Sequence, residues 1–398
     1  MSSGHARLTI SLCLLLLVPF HFALAKSPGL SKPPAGVVLV AATVEGQPAT
    51  LLLDTGAERS CLDTRFAARL RLGSTGVERI RQPYATMTAG NIQIGDIEID
   101  SFHLQGMELL SSDLSSTSSA AGVTIDGIVG SDVLRHFAVR IDFSSGSVQF
   151  GTNTTMLARG VVVTLQSANN VYFVPLNLEG TPVSLLLDTG TNASSVSSHA
   201  WSDITMHWQP QTMLDGVRSS GGSEGAKFVL IPKVNIGGAT SRNVPLRVQP
   251  QTRDGLFADA NFDGLLGTDV LRQFIVTLDL ANNKIYLIRN PNSHIDRYLF
   301  STIGIQFAKD IDGDFTILAV WNPSPAAKAG LKIGDLILAV DQLDTRQMSL
   351  DDLSREIHGH PGTEVNLVID SGGHRHSVAV TIGCLLCPVS SNARPAKR

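Results

Sequence analysis

Two aspartates carry the chemistry that this sequence suggests. The hexapeptide Leu-Leu-Leu-Asp-Thr-Gly occurs twice, and it places Asp54 and Asp188 at equivalent positions in the two copies. Two carboxyl groups held about 3 Å apart cannot both ionise, so they share one proton. The ionised member can take a proton from a bound water while the protonated member polarises a peptide carbonyl. The repeat therefore predicts a two-carboxylate site that hydrolyses peptide bonds, with Asp54 and Asp188 as its catalytic residues.

The repetition extends beyond the hexapeptide. Further along each copy a second block recurs, as Asp126-Gly-Ile-Val-Gly-Ser-Asp-Val-Leu134 and as Asp263-Gly-Leu-Leu-Gly-Thr-Asp-Val-Leu271. This pattern indicates that one unit of roughly 130 residues has been duplicated, a period too long for a solenoid repeat. Each copy is therefore predicted to form one lobe, and each lobe supplies one aspartate.

The residues next to each aspartate predict how it is held. The apolar triplets Leu51–Leu53 and Leu185–Leu187 are typical of strands buried on both faces, which would keep the site dry and rigid. A glycine after each Asp-Thr pair permits a sharp turn, and a threonine hydroxyl can hydrogen-bond across a lobe interface. The residues predicted to support the catalytic turns are Thr55, Gly56, Ala57, Thr189, Gly190 and Thr191.

The two turns differ at their fourth position. Thr191 has a hydroxyl that could donate a hydrogen bond to the Asp188 carboxylate, whereas Ala57 offers Asp54 nothing equivalent. A hydrogen bond to the ionised form lowers the pKa of a carboxyl group. On this hypothesis Asp188 is the more acidic member, and Asp54 more often holds the shared proton.

These motifs resemble those of a known family. Asp54-Thr-Gly-Ala57 resembles the turn of retropepsin-like aspartic proteases, and Asp188-Thr-Gly-Thr191 resembles its pepsin-type variant. Ile128-Val-Gly130 and Leu265-Leu-Gly267 match the apolar-apolar-Gly element that lies beneath the turn in that family. The resemblance covers roughly residues 36–290. It implies a mainly β fold, with two acid-protease β-barrel lobes related by a pseudo-twofold axis.

The same family places a β-hairpin flap over the cleft. The resemblance gives Pro83 to Gly95 as the candidate in the first lobe and Val217 to Val229 in the second. Tyr84 is the residue nearest to the flap tyrosine of pepsin-type enzymes. An ordinary surface hairpin is an equal alternative at both places.

Composition agrees with an all-β protein and excludes some functions. Charged residues make up 17% of the 398 residues, and the net charge is −4 without a basic stripe, so nothing indicates binding to nucleic acid. The histidines form no His-x-x-x-His pair, and no zinc or calcium motif has the required spacing. We therefore expect no metal and no cofactor, and a protein or peptide as the substrate.

The N-terminus predicts export. Arg7 precedes an apolar run that ends in Ala23-Leu24-Ala25, a small-x-small sequence typical of signal peptidase cleavage. Residues 1–25 are thus predicted to be a signal peptide, which makes the protein periplasmic or secreted and leaves no stable membrane insertion. The alternative is an uncleaved N-terminal anchor, because the run is almost long enough to span a bilayer.

The C-terminal part resembles a PDZ domain of the type associated with bacterial proteases. Ser324–Leu331 and Ile333–Val340 match its most recognisable stretch, and the likeness covers residues 299–383. The resemblance implies an α+β domain that binds the C-terminus of a peptide. Its carboxylate-binding loop would contain Ile303, Gly304 and Ile305. A helix beginning after Ser349, with Asp352 as its capping-box partner, would form the other wall of the groove. A PDZ domain that binds nothing remains an alternative.

The cysteines add little to the functional prediction. Cys384 and Cys387 could close a tight disulfide in an oxidising compartment, and Cys61 is expected to be a small buried hydrophobe. The predicted order of segments is signal peptide 1–25, linker 26–36, protease lobe 1 37–155, protease lobe 2 156–290, PDZ domain 299–383 and C-terminal tail 384–398.

Together these features predict an exported aspartic endopeptidase with a PDZ domain that recognises peptides or regulates the enzyme. One alternative keeps the fold but pairs each lobe with its twin on another chain, as an obligate dimer. The other is a non-catalytic scaffold that binds peptides through the PDZ domain. Neither aspartate is missing, so the sequence favours the enzyme.

Overall fold

The structure is a computed structural model that describes most of the chain. The described residues are 9–10, 36–100, 102–151, 159–217, 225–293, 300–310 and 313–387. The predicted signal peptide therefore lies outside them, apart from Thr9 and Ile10. Most of the regular structure is β, and the chain forms two compact units. One unit holds the chain up to His207 with Val234–Ser241 and Gln249–His294, and the other holds Trp208–Lys233, Arg242–Val248 and the chain from Ile295 onward.

Lobe 1 is a closed β-barrel. Six strands follow one another in the order β6-β2-β3-β8-β4-β7, and pairing of β6 with β7 closes the ring. The strands up to Gly151 are β1 (Thr9–Ile10), β2 (Leu39–Val44), β3 (Gln47–Leu53), β4 (Cys61–Asp63), β5 (Ser74–Arg81), β6 (Thr86–Ile99), β7 (Phe102–Ser112), β8 (Gly127–Val129), β9 (Ala138–Asp142) and β10 (Ser147–Gly151). The helices are α1 (Thr64–Arg69), α2 (Ser115–Ala121) and α3 (Ser131–Leu134).

Lobe 2 repeats this plan. Its barrel has the order β13-β14-β19-β15-β18-β17, and β13 pairs with β17 to close it. The strands are β11 (Val161–Thr164), β12 (Gln166–Ala168), β13 (Val171–Leu178), β14 (Thr181–Leu187), β15 (Ser195–Ser197), β16 (Met213–Val217), β17 (Ala226–Ile236), β18 (Ala239–Gln249), β19 (Gly264–Leu266), β20 (Phe274–Asp279) and β21 (Lys284–Arg289). The helices are α4 (Ser198–His207) and α5 (Thr268–Leu271), with 3₁₀ turns at Leu256–Ala258 and Leu280–Asn282.

A separate five-stranded sheet joins the two lobes. Its order is β10-β9-β20-β21-β11, so two neighbouring strands of the first copy and three of the second form one hydrogen-bonded layer. Strand β9 of the first copy runs antiparallel to β20 of the second, with Ala138 opposite Asp279 and Asp142 opposite Ile275. The duplicated halves are therefore joined by backbone hydrogen bonds.

The apolar triplets are buried as predicted. All six leucines in Leu51–Leu53 and Leu185–Leu187 are buried, because both faces of β3 and β14 are covered. Strand β3 pairs in parallel with β8, and β14 pairs in parallel with β19. The repeated Gly-containing blocks are thus direct neighbours of the strands that lead to the aspartates.

The C-terminal part has one hydrophobic core built from a five-strand path, β23-β24-β25-β27-β28, and a helix. Its strands are β22 (Ser301–Thr302), β23 (Ile305–Lys309), β24 (Phe315–Val320), β25 (Leu336–Val340), β26 (Leu343–Asp344), β27 (Glu364–Ser371), β28 (His374–Thr381) and β29 (Gly383–Cys384). The helices are α6 (Pro325–Lys328) and α7 (Leu350–Ile357), with a 3₁₀ turn at Thr345–Gln347. The predicted capping box of Ser349 and Asp352 is confirmed at the start of α7.

The cysteine predictions also have an outcome. Cys384 and Cys387 form a disulfide, and Cys61 is a buried thiol outside any disulfide. Strand β29, which contains Cys384, pairs with β22. The first residue of the predicted tail therefore belongs to the β-structure of the C-terminal part.

Candidate functional site

The two aspartates meet at the junction of the lobes. A side-chain hydrogen bond joins Asp54 and Asp188. Only 3% of Asp54 and 1% of Asp188 is exposed, so the pair is withdrawn from solvent. Gly190 leaves room for this contact because it has no side chain: a Cβ atom at this position would lie 2.5 Å from Cγ of Asp54, too close for two carbon atoms. The sequence repeat thus places two carboxyl groups in direct contact within one chain.

The strand ends fix both aspartates in the same way. The Asp54 amide donates to the carbonyl of Val129 at 3.0 Å, and the Asp188 amide donates to Leu266 at 3.0 Å. Each partner is the last residue of the parallel neighbouring strand, β8 or β19. The apolar-apolar-Gly blocks therefore hold the backbone at the point where each aspartate leaves its strand.

The turns that follow supply hydrogen bonds to one oxygen of each carboxyl group. In both lobes this Oδ1 atom accepts from the backbone amides two and three positions further on. The four bonds are Gly56 N (2.8 Å) and Ala57 N (3.2 Å) to Asp54, and Gly190 N (2.9 Å) and Thr191 N (3.1 Å) to Asp188. The donors are backbone amides, so Ala57 and Thr191 make the same hydrogen bond despite their different side chains.

The hydrogen bond predicted from the Thr191 hydroxyl to the Asp188 carboxylate is not formed. The Thr191 hydroxyl accepts a hydrogen bond from the amide of Ala193 at 3.4 Å and is not a donor to Asp188. Burial raises the pKa of Asp188 to about 7, and hydrogen bonds with the Gly190 amide, the Asp54 side chain and the Thr191 amide oppose that shift. The two carboxyls therefore share one proton as a pair.

Two threonines lock the turns together across the lobe junction. Each hydroxyl donates to a carbonyl of the opposite lobe and accepts from the amide of the opposite threonine. The four bonds are Thr55 Oγ1 to Leu187 O (2.8 Å), Thr189 N to Thr55 Oγ1 (3.1 Å), Thr189 Oγ1 to Leu53 O (2.8 Å) and Thr55 N to Thr189 Oγ1 (3.1 Å). This arrangement bears out the predicted cross-lobe role of the two hydroxyls.

A second pair of aspartates supports the turns and was missed in the sequence. Asp132 accepts from the amide (2.9 Å) and hydroxyl (2.6 Å) of Ser60. Asp269 accepts from the amide (2.9 Å) and hydroxyl (2.5 Å) of Ser194. Burial raises the pKa of Asp132 and of Asp269, and the serine hydrogen bonds oppose that shift. Both residues recur at matching positions of the repeat, and that recurrence could have identified them.

The lobes diverge just after the catalytic turn. Arg59 of lobe 1 forms ion pairs with Glu78 and Glu108, whereas Ala193 stands at the matching position of lobe 2. The two walls beside the aspartates therefore differ in charge and in bulk.

The flap predictions have different outcomes. In lobe 1 the hairpin is formed by β5 and β6, and its turn spans residues 82–85, so the predicted start at Pro83 lies in the turn. The predicted end, Gly95, is wrong because it lies deep within the long strand β6. In lobe 2 the candidate from Val217 to Val229 includes residues 218–224, which lie outside the described part of the chain.

The predicted peptide-binding loop lies at the start of an edge strand. Ile303 and Ile305 are buried, and Gly304 between them has a φ of +89°. The Gly304 carbonyl accepts from the amide of Trp321 at 2.9 Å, which fixes the loop to the end of β24. Strand β23, beginning at Ile305, is the terminal strand of its sheet, and no strand of the described residues pairs with its outer edge.

The described residues contain no group of three or more histidine, cysteine, aspartate or glutamate side chains placed to hold a metal ion. Among the same residues, no helix is long and apolar enough to cross a membrane.

Comparison with known proteins connects this geometry to two families. The model of the family described as aspartyl protease matches residues 40–133 and again residues 174–270. A PDZ domain model matches residues 318–370.

Individual relatives each match about a fifth of the chain. The carboxyl-terminal-processing protease of Synechocystis sp. is 38% identical over 76 residues, which is 18% of this chain and 17% of that protein. The structure of the photosystem II D1 C-terminal processing protease is 26% identical, with a TM-score of 0.21, over 22% of this chain and 24% of that one. The PDZ domain of the carboxy-terminal protease from Vibrio cholerae, solved in complex with a peptide, is 26% identical, with a TM-score of 0.19, over 21% of this chain and 92% of that one.

The matches differ in how much of each protein they cover. The chain spans less than a fifth of the length of the curated relative from Synechocystis. The aspartyl protease model, in contrast, matches both halves of the duplication and includes both aspartates. The chain is thus built from two tandem retropepsin-like aspartyl protease lobes followed by a PDZ domain.

Proposed function

We propose that this protein is an exported aspartic endopeptidase in which Asp54 and Asp188 of one chain are the catalytic dyad. The observation that carries the proposal is the hydrogen bond between the two buried carboxyl groups at mirrored strand ends. A pair of this kind retains one proton over the acidic to neutral range. Because the pairing is within one chain, a dimer is not needed to complete the site.

The shared proton gives the two carboxyls different roles. The ionised member takes a proton from a water molecule, and the water oxygen attacks the carbonyl carbon of the peptide bond. The protonated member gives its proton to the carbonyl oxygen. The tetrahedral intermediate then collapses and the C–N bond breaks. The leaving nitrogen receives the proton held by the first carboxyl, and a hydroxyl proton of the intermediate returns to the second. Water is the only co-reactant, so the step needs neither a metal nor a cofactor.

The experiment compares the mature protein with Asp54→Asn and Asp188→Asn variants. All three are incubated with a diverse peptide library from pH 3 to pH 8, and the products are identified by mass spectrometry. We expect cleavage by the wild type alone, with activity decreasing as the pH rises through about 7 and the shared proton is lost. Equal product patterns from the three proteins would refute the proposal.

For the PDZ domain we propose recognition of peptide C-termini. Support comes from the open edge of β23 and from the glycine loop at residues 303–305, because PDZ domains bind a peptide by adding it as a strand. Fluorescence anisotropy with an apolar peptide that ends in a free carboxylate tests this, and the same peptide with an amidated end is the control. Equal binding of both peptides would exclude carboxylate recognition at this loop.

A further inference from the structure

The cysteine pair near the end of the C-terminal part lies beside the predicted carboxylate-binding loop. Strand β29 pairs with β22, with Cys384 opposite Ser301 and Gly383 opposite Thr302. Ile303, the first residue of the loop, follows directly after β22. The strand that contains Cys384 is therefore the backbone neighbour of the strand that leads into the loop.

The two residues enclosed by the disulfide pack against the same loop. Leu385 and Leu386 are both buried. The Leu385 amide donates to the carbonyl of Phe300, one residue before β22, at 2.8 Å. The Leu385 side chain contacts the loop itself, because a Cβ atom added to Gly304 would lie 3.1 Å from Cδ1 of Leu385. The short segment closed by the disulfide thus touches the glycine at the centre of the loop.

Other parts of the domain hold this loop through its backbone. The Ile303 amide donates to the carbonyl of Ile357, at the end of α7, at 3.3 Å. The Ile303 carbonyl accepts from the amide of Ala326, in α6, at 2.8 Å, and the Gly304 carbonyl accepts from Trp321. The loop is therefore held by four parts of the domain, of which the cysteine segment is the last in the sequence.

The disulfide determines how firmly the cysteine segment is held. Strand β29 ends at Cys384, and the disulfide ties Cys387 back to that strand. Without this bond the two leucines are fixed by the chain at one end only, and they gain conformational freedom. The contact between Leu385 and Gly304 then persists for a smaller fraction of the time.

Capture of a peptide carboxylate requires a fixed loop. Several backbone N–H groups have to face one point to bind the carboxylate. A loop that holds this geometry for part of the time binds with an affinity reduced by that fraction. Pairing of the peptide with β23 as an added strand does not use the loop in this way. A loosened loop should therefore impair carboxylate recognition more than strand pairing.

We propose that the disulfide between Cys384 and Cys387 positions the carboxylate-binding loop, so that peptide recognition by the PDZ domain depends on the oxidation state of this pair. The inference rests on the proposed recognition of peptide C-termini. It assigns the two cysteines and Leu385 as positioning residues, which act on the peptide through Gly304.

Reduction of the pair requires a dithiol as co-reactant. One thiolate of the dithiol attacks a sulfur of the disulfide, the S–S bond breaks, and a mixed disulfide forms. The second thiol of the reductant then resolves the mixed disulfide. Cys384 and Cys387 each gain one electron and one proton, and the dithiol is oxidised to a disulfide.

The test measures peptide affinity in both oxidation states. All proteins are full-length mature chains that carry Asp54→Asn, so that the proposed protease activity does not consume the peptide. Fluorescence anisotropy gives the Kd of an apolar peptide with a free carboxylate and of its amidated form, with and without dithiothreitol. One variant combines Cys384→Ser with Cys387→Ser, and a second, Leu385→Ala, keeps the disulfide. Cys61→Ala is the control, because Cys61 lies outside any disulfide.

Hydrogen exchange separates loosening of the loop from general loss of stability. The Trp321 amide reports the loop, because it donates to the Gly304 carbonyl. The amides of β27 report the core, because β27 pairs with a strand on each side. Both are measured well below the melting temperature of every variant.

We expect the free-acid peptide to bind about tenfold more weakly after reduction and in the double serine variant, as for a loop that holds its geometry about a tenth of the time. The Kd of the amidated peptide should change less than about twofold. Leu385→Ala should weaken binding of the free-acid peptide about threefold in the oxidised protein. Exchange at Trp321 should quicken by a larger factor than exchange in β27. Dithiothreitol should leave the double serine variant unchanged, and Cys61→Ala should respond to it as the parent protein does.

Three results would overturn the inference. Unchanged affinity after reduction and in the double serine variant would mean that the disulfide does not position the loop. Equal weakening of both peptides, with exchange quickened equally at Trp321 and in β27, would mean that the disulfide stabilises the domain without a specific effect on the loop. If the oxidised parent protein binds both peptides equally, recognition of peptide C-termini has itself failed, and the inference falls with it.

Discussion

Replacing Thr55 by valine tests how the lobes are held together at the dyad. Valine has the shape of threonine but carries a methyl group in place of the hydroxyl. The change removes the bond to the carbonyl of Leu187 and the acceptor for the amide of Thr189, both buried. An unsatisfied buried group costs about 1–3 kcal/mol, so the loss of both partners should amount to about 2–6 kcal/mol. That is a large part of the about 5–15 kcal/mol by which a typical domain is stable.

The assay is chemical denaturation, with Thr55→Ser as the matched control. Serine keeps the hydroxyl and loses one methyl group, which costs about 1 kcal/mol. We expect the unfolding midpoint to fall from wild type to Thr55→Ser and further to Thr55→Val. Hydrogen exchange at the Thr189 amide should quicken in the valine variant alone. If the valine variant is as stable as the serine variant, the hydroxyl does not hold the lobes together.

Three further predictions follow from the site and from the C-terminal disulfide. Gly190→Ala should abolish peptide cleavage, because the new Cβ would lie 2.5 Å from the carboxyl carbon of Asp54. The control Gly73→Ala should cleave peptides as the wild type does, because Gly73 has open space around it and an ordinary φ. The raised pKa of Asp188 stabilises the fold fully below about pH 4, and this stabilisation is lost as the pH rises through about 7. In the Asp188→Asn variant the urea midpoint of unfolding should therefore depend less on pH between pH 4 and pH 8. An unaltered pH dependence would contradict the raised pKa of Asp188. Replacing both Cys384 and Cys387 by serine should destabilise the PDZ domain by roughly 2 kcal/mol, a modest loss because the closed loop is short. A reductant should lower the melting temperature of the wild type to that of the variant and leave the melting temperature of the variant unchanged.

The repeat was enough to predict the centre of the site. Each copy of the duplicated unit places one aspartate at the end of a buried strand, and two equivalent copies were expected to bring these strand ends together. The structure joins Asp54 to Asp188 as expected. Local signals such as the capping box of Ser349 were equally reliable, since they depend on neighbours in the sequence.

Features that depend on distant partners were harder to predict. The tip of the β5–β6 hairpin is held by Asp254, 168 residues beyond Thr86, and nothing in the local sequence marks that pairing. The hydrogen bond of the Thr191 hydroxyl was misjudged for a related reason. This hydroxyl accepts from the amide of Ala193 and does not donate to Asp188, and burial, which a sequence does not quantify, is the main cause of the raised pKa of Asp188.

The sheet that joins the lobes also has a consequence for biosynthesis. Ala138 pairs with Asp279, so this layer forms only after the ribosome has made nearly all of the second copy. Contacts between such distant residues form slowly because a long loop must close first. A nascent chain therefore carries one lobe without its partner until β20 has been made. On the proposed function, the polypeptide stays inactive as a protease until both copies have been synthesised.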